Sequence, residues 1–197
     1  MLTAAGVAVD IAFVTRGENG TATNSNTGVL AAQNLAATRS AEALAAAKIL
    51  GARDVIFLNG RDGEVSQQPQ LQHELAELLN KGGYYRVFVT WYGDRHDDHR
   101  GTFRWFRGAL EQCTKVESVW LYEVWSPLEP NTIVPIDGLI EVKRAAIAAH
   151  QSQLAILDYS AAYLGLSAYR AILSPPSHYA EAFLVLNRND VLRIGST

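Results

Sequence analysis

Residues 55–58, Val-Ile-Phe-Leu, form a short apolar run that follows Asp54 and ends at Asn59-Gly60. A continuous apolar run of this length, bounded by polar and turn-forming residues, is typical of a strand that is covered on both faces. On either side of it the chain alternates strand-like and helix-like segments. This alternation predicts right-handed crossovers and a mostly parallel sheet between helix layers, which is an α/β fold.

The other predicted elements extend outward from this strand. Residues 29–50 are rich in alanine and leucine and are followed by Gly51, so we expect a helix that stops at a glycine. Leucines at helical spacing within residues 70–80 predict a second, amphipathic helix, and residues 16–28 are typical of a long polar loop. The remaining predictions are strands at Val7–Val14, Tyr85–Thr90, Val119–Trp125, Asn131–Ile136 and Phe183–Asn187, helices at 102–113 and 138–153, and a helical or turn-rich section at 154–173.

Composition excludes several classes of protein. The chain has 197 residues, 48% of them hydrophobic, which suits one globular domain with its own core. A formal net charge of −3 and the lack of a lysine and arginine cluster argue against nucleic-acid binding. No apolar run reaches the roughly 18 residues that a membrane span needs, so none is predicted. Cys113 is the single cysteine, which excludes an intramolecular disulfide and fits a cytoplasmic protein.

The segment from Asp94 to His99, Asp-Arg-His-Asp-Asp-His, contains two of the five histidines of the chain and three carboxylates. It follows a predicted strand, and in parallel sheets ligand sites lie beyond the carboxyl ends of the strands. Imidazole and carboxylate groups suit zinc and similar divalent metals, although one loop rarely supplies all the ligands of a site. The segment therefore predicts part of a metal site, the alternative being a solvated charged loop.

Several short motifs elsewhere in the chain, taken in order with this segment, resemble the PIG-L/LmbE-like family of zinc-dependent N-deacetylases. The resemblance covers nearly the whole chain, and its strength lies in the order of the motifs, each of which is weak by itself. These motifs are Thr15-Arg16-Gly17-Glu18, Arg39-x-x-Glu42, Asp62, His96-Asp97-Asp98-His99, Lys143 to Gln153, and Ala180-Glu181-Ala182-Phe183.

The resemblance implies an enzyme of Rossmann-like fold that removes an acetyl group from an N-acetylated amino sugar or a similar small amide. It implies that His99 binds Zn²⁺ or another divalent metal, that His96 stabilises the oxyanion, and that Asp98 orients its neighbours. We also expect Arg39 and Asp62 to bind substrate. The simpler alternatives are an ion pair on the helix surface between Arg39 and Glu42, and a turn-forming role for Asp62.

The chain departs from the family at its beginning. Family members open with a strand followed by His-Pro-Asp-Asp-Glu or a close variant, which supplies further metal ligands and the general base, and this motif is absent here. We therefore expect residues 1–197 to form a single, N-terminally truncated deacetylase domain that lacks the first strand and most of the first helix. Such a chain should expose strand edges that homo-oligomers could cover, bind zinc weakly through His99, and be poorly active.

Two other functions compete with the deacetylase. One is a non-catalytic ligand-binding or regulatory relative that kept the fold. The other is a nucleotide-binding Rossmann domain, which is disfavoured because no Gly-x-Gly-x-x-Gly follows the first strand. His150, near the end of a predicted helix, is interpreted as a structural hydrogen-bonding residue rather than a ligand.

Overall fold

A computed structural model describes residues 1–19 and 29–195, and for residues 29–32 it describes the backbone alone. The chain divides into two compact units, one made of residues 1–62 and 134–181 and the other of residues 63–133 and the chain from 182 onward. In the described residues the strands are β1 (Asp10–Thr15), β2 (Asp54–Gly60), β3 (Arg86–Thr90), β4 (Ser118–Tyr122), β5 (Thr132–Pro135) and β6 (Ala180–Asn187). The helices are α1 (Val29–Leu50), α2 (Gln70–Gly82), α3 (Asp97–Leu110), α4 (Ile140–Ala148), α5 (Gln151–Leu154), α6 (Tyr159–Ala171) and α7 (Arg188–Arg193).

In the first unit β1 and β2 form a parallel pair. Phe13 lies opposite Phe57 across the pair, and their rings stack with centroids 5.4 Å apart. Helix α1 ends before Gly51, whose φ of 71° is the left-handed conformation that glycine adopts without strain. The predicted strand at 55–58 and the helix at 29–50 are thus confirmed, and the small alanines of α1 form part of the core of this unit.

In the second unit the sheet has the strand order β3-β4-β6-β5. Strands β3 and β4 are parallel, whereas β4 and β6 are antiparallel. Helix α2 buries Leu71, Leu75 and Leu79 on one face, as their spacing predicted, and packs against α3. The fold is therefore the predicted class, with parallel strand pairs and covering helices.

Three predicted elements have boundaries that differ substantially from those of the structure. The predicted helix 102–113 begins five residues earlier, at Asp97, because His96 caps it. The predicted strand 119–125 ends at Tyr122, because the backbone N–H of Trp125 donates to a carboxylate and not to a neighbouring strand. The predicted helix 138–153 is instead three short elements, a 3₁₀ turn followed by α4 and α5. The break between α4 and α5 lies at His150, where the backbone leaves helical geometry.

Smaller differences concern the first and last elements of the described chain. The first strand begins at Asp10 and not at Val7, the last one extends back to Ala180, and α7 was not predicted. Residues 20–28 of the predicted polar loop 16–28 lie outside the described residues. None of the described helices is long and apolar enough to cross a membrane. The single-domain organisation, the truncation and the homo-oligomer stay predictions.

Candidate functional site

The Asp94–His99 segment lies where β3 gives way to α3, so half of it is helical and not the loop that the sequence predicted. His96 is the N-cap of α3, and its Nδ1 atom accepts a hydrogen bond of 3.2 Å from the backbone N–H of Asp98. The carboxylates of Asp97 and Asp98 lie in the first turn, where negative charge is favourable. The hydroxyl of Thr90, the last residue of β3, donates to the carbonyl oxygen of His99 at 2.9 Å, which ties this turn to the strand.

Asp94 is the residue that organises the segment. Its side chain is fully buried. Its Oδ1 atom accepts the backbone N–H of His96 at 2.9 Å and faces the Nδ1 atom of His99 at 3.0 Å, while Oδ2 accepts the backbone N–H of Trp125 at 2.9 Å. One carboxylate therefore fixes both histidines and the segment that follows β4.

The pKa values of this pair indicate how its proton is placed. Burial alone would raise the pKa of Asp94, but the backbone N–H groups of His96 and Trp125, together with His99, hold that pKa below its ordinary value. Burial lowers the pKa of His99, an effect that Asp94 opposes only in part. At neutral pH the pair is thus a carboxylate and a neutral imidazole whose Nδ1–H donates, which leaves the Nε2 lone pair of His99 for a ligand.

His96 has the opposite tautomer. Because its Nδ1 atom accepts the N–H of Asp98, the proton of the neutral ring lies on Nε2. The two imidazole rings are neighbours, with centroids 4.7 Å apart. The segment therefore presents one nitrogen with a free lone pair, on His99, beside one N–H donor, on His96.

Asp98 makes contacts that the sequence did not predict. Its carboxylate is buried and accepts the backbone N–H groups of Gly63 at 2.6 Å and of Val65 at 3.1 Å. The resemblance implied that Asp98 orients its neighbours. Its carboxylate is not the one that faces an imidazole nitrogen, which is that of Asp94, but its backbone N–H donates to Nδ1 of His96. The spacing of an acid five residues before His99 was the available signal. A catalytic role for Asp98 stays a prediction.

His99 fits a metal as one ligand. A histidine that donates one ring nitrogen to a buried carboxylate and presents the other is the usual arrangement of a metal-binding imidazole. A zinc site needs three or four protein ligands, however, and the described residues contain no group of three histidine, cysteine, aspartate or glutamate side chains placed to hold a metal. The described residues therefore do not complete a metal site.

Arg39 lies in the first unit. Its Nη1 atom donates to the carbonyl oxygen of Gly17, and its buried Nε atom has no hydrogen-bond partner among the described residues. Glu42 does not make the predicted alternative ion pair, because both of its carboxylate oxygens accept from Ser152, from the N–H at 2.8 Å and the hydroxyl at 2.7 Å. This contact lies in α5, just after the helix break at His150.

Asp62 is also in the first unit and joins two loops. Its Oδ2 atom accepts the backbone N–H of Asn19 at 3.0 Å, and its own N–H donates to Glu18 at 2.9 Å. These contacts give Asp62 a structural role close to the turn-forming alternative. The substrate-binding roles of Arg39 and Asp62 stay predictions. The side chain of His150 makes no cap hydrogen bond, and its buried Nδ1 atom has no partner among the described residues. Its hydrogen-bonding role stays a prediction.

Several solved structures share this fold, among them the following three. The N,N′-diacetylchitobiose deacetylase of Pyrococcus horikoshii is 23% identical, with a TM-score of 0.80 over 95% of this chain and 76% of that one. A conserved protein of Thermus thermophilus is 24% identical, with a TM-score of 0.78 over 93% of this chain and 83% of that one. The 4-carboxy-2-hydroxymuconate hydratase of Pseudomonas putida is 21% identical, with a TM-score of 0.74 over 93% of this chain and 86% of that one.

At such identities the solved structures establish the fold alone, and one of the three is a hydratase. The family match of the sequence is more specific than these structural similarities. Residues 1–110, more than half of the chain, match the family described as PIG-L: GlcNAc-PI de-N-acetylase. This match includes the whole Asp94–His99 segment. The chain therefore belongs to the PIG-L family.

Proposed function

We propose that this chain is a metal-dependent hydrolase that removes the acetyl group from an N-acetylated amino sugar or a similar small amide. The family match supports a deacetylase of N-acetylated sugars in general. The observation that carries the proposal is the pair of neighbouring imidazoles, His96 and His99, which offer opposite ring nitrogens at the end of β3. A cytoplasmic location stays a prediction.

The reaction adds one water molecule across the amide, so that acetate and a free amine are released. His96 is the group that stabilises the carbonyl oxygen as it becomes an oxyanion, because the cap bond at Nδ1 keeps the donor proton on Nε2. His99 would hold the metal through Nε2. When bound, a divalent metal supplies Lewis acidity and lowers the pKa of a bound water molecule.

Asp94 and Asp98 keep this arrangement fixed. Asp94 sets the ring orientation of His99, and Asp98 holds the backbone at Gly63 and Val65 against the first turn of α3. Because the Nε2–H donor of His96 is already in position, it needs no rearrangement when negative charge develops on the carbonyl oxygen. We expect weak metal binding and slow turnover from the chain as given, because the described residues supply His99 without two further ligands.

The test is acetate release from methyl N-acetyl-β-D-glucosaminide, followed by NMR with and without stoichiometric Zn²⁺ or Co²⁺. We expect slow release that depends on metal, and a loss of about 10²- to 10³-fold in His96→Ala, the usual cost of an oxyanion donor. His73→Ala is the matched control, because His73 is an exposed histidine on α2 that pairs with Glu77 one helical turn away.

The possible outcomes separate the two leading functions. Equal rates in His96→Ala and the parent chain would remove His96 from the reaction. Binding of the sugar with no acetate release at any metal concentration would favour the alternative, a non-catalytic relative of the same fold. That alternative is supported by the incomplete ligand set of the described residues.

A further inference from the structure

Trp125 is an exposed aromatic residue beside the two histidines. The indole is 54% exposed, although tryptophan is usually among the most buried side chains. It lies in the second unit, beyond the end of β4 at Tyr122, in a segment without regular secondary structure. The other tryptophan of this strand region, Trp120, instead packs against Phe88 and Phe183.

The backbone around Trp125 is held firmly to the histidine segment. Its N–H donates to the buried carboxylate of Asp94 at 2.9 Å. The next residue, Ser126, accepts the indole N–H of Trp91 through its carbonyl oxygen at 3.0 Å, and its hydroxyl donates to the carbonyl oxygen of Gly93 at 3.3 Å. Three hydrogen bonds thus fix the backbone from which the exposed indole of Trp125 projects.

The indole of Trp125 is a neighbour of the His96 ring. Its centroid lies 5.6 Å from the ring of His96, which in turn lies 4.7 Å from the ring of His99. A ligand large enough to extend from His96 by about one ring width can therefore reach the Trp125 indole. An N-acetylated amino sugar has an acetamide next to a ring whose faces carry C–H groups, and such apolar faces pack well on aromatic rings.

We propose that Trp125 is the stacking surface for the sugar ring of the substrate while the acetamide lies at His96 and His99. This inference rests on the proposed function and narrows it, because it selects cyclic amino sugars over acyclic N-acetyl amines. Trp125 is a binding and specificity residue. It takes no part in bond making or breaking.

The test measures binding, which does not require turnover. The ¹⁵N-labelled chain contains four tryptophans, and the indole signal that disappears in Trp125→Phe is that of Trp125. At equal occupancy we expect methyl N-acetyl-β-D-glucosaminide to shift this signal more than N-acetylethanolamine does, because only the sugar has a ring face to pack on the indole. Trp125→Ala should weaken sugar binding about tenfold, the effect of uncovering one ring face, whereas Trp125→Phe should bind within about threefold of the parent chain.

Tyr85→Ala is the matched control, because Tyr85 is another exposed aromatic side chain of the same unit that precedes β3. It should bind the sugar as the parent chain does. Equal affinity in Trp125→Ala and the parent chain, an equal shift with the acyclic amide, or no binding of the sugar at all would each overturn the inference.

The failure of this inference can be told from the failure of the proposed function. Sugar binding that depends on Trp125, without acetate release, would remove the catalytic proposal and keep the stacking surface. Acetate release with an unchanged KM in Trp125→Ala would keep the catalytic proposal and remove the stacking surface. The NMR signals of His96 and His99 in each variant, compared with those of the parent chain, show whether the fold of the segment is retained.

Discussion

Replacing Asp94 by asparagine tests the central claim about this site, which is that one buried carboxylate holds it together. Asparagine has the same shape, but it offers one acceptor oxygen and one N–H₂ donor in place of two charged oxygens. In either orientation the new amide points a donor at a donor, on the side of His96 and His99 or on the side of Trp125.

The expected cost follows from these three bonds. Leaving one buried N–H without an acceptor costs about 1–3 kcal/mol, and the bonds that remain fall from about 1.5–3 kcal/mol each to about 0.5–1.5 kcal/mol each. We therefore expect Asp94→Asn to lower the free energy of unfolding by about 3–5 kcal/mol. That is a large part of the roughly 5–15 kcal/mol typical of a folded domain.

The assay is urea unfolding followed by tryptophan fluorescence, with hydrogen exchange of the Trp125 amide as a local readout. Asp97→Asn is the matched control, because it is the same chemical change three residues along, on a side chain that is 55% exposed and bonded to Arg100. It should cost less than about 1 kcal/mol. A loss of similar size in both variants, or one below about 1 kcal/mol in Asp94→Asn, would contradict the reasoning.

Two further predictions concern pH and packing. Burial holds the pKa of His150 below its ordinary value of 6.5, so the unfolded chain binds the proton first, and the stability present above that pH is lost as pH falls through the folded pKa. His150→Gln should therefore lose less stability between about pH 7.5 and 5.5 than the parent chain, whereas the exposed His73→Gln should behave like the parent. A Cβ at Gly101 would lie 2.8 Å from a backbone nitrogen, so Gly101→Ala should lower the urea midpoint, whereas Gly165→Ala in α6, where nothing lies within 4 Å, should raise the stability by about 0.5–1 kcal/mol. Equal midpoints for the two alanine variants would show that the close contact at Gly101 relaxes freely.

The sequence predicted those parts of the fold that depend on local pattern. The apolar run at 55–58 and the leucine spacing of α2 each correspond to a single element, because burial on one face or both imposes a period that the chain displays. Helix starts were less predictable. His96 is not among the residues that most often cap helices, and the charged residues that follow it resemble a loop when their burial is not known.

The same distinction holds for the site. Residue types alone drew attention to His96 and His99, because a neutral imidazole offers both a lone pair that binds metals and an N–H donor. The acid that organises them could not be chosen by type, since three carboxylates lie in the same six residues. Burial and direction separate them. Asp94 faces His99, Asp98 faces the backbone at Gly63, and Asp97 is exposed.

Because His96 is the N-cap of α3, the orientation of its imidazole depends on the first turn of that helix. The first turn of a helix frays readily, because its N–H groups lack partners within the helix. Here the ring of His96 supplies one of those partners, so opening of the turn would break the hydrogen bond that keeps the donor proton on Nε2. The contacts of Asp94, Asp98 and Thr90 that hold this turn closed therefore also hold the donor in place. Amide exchange at Asp98 should therefore report the readiness of the site.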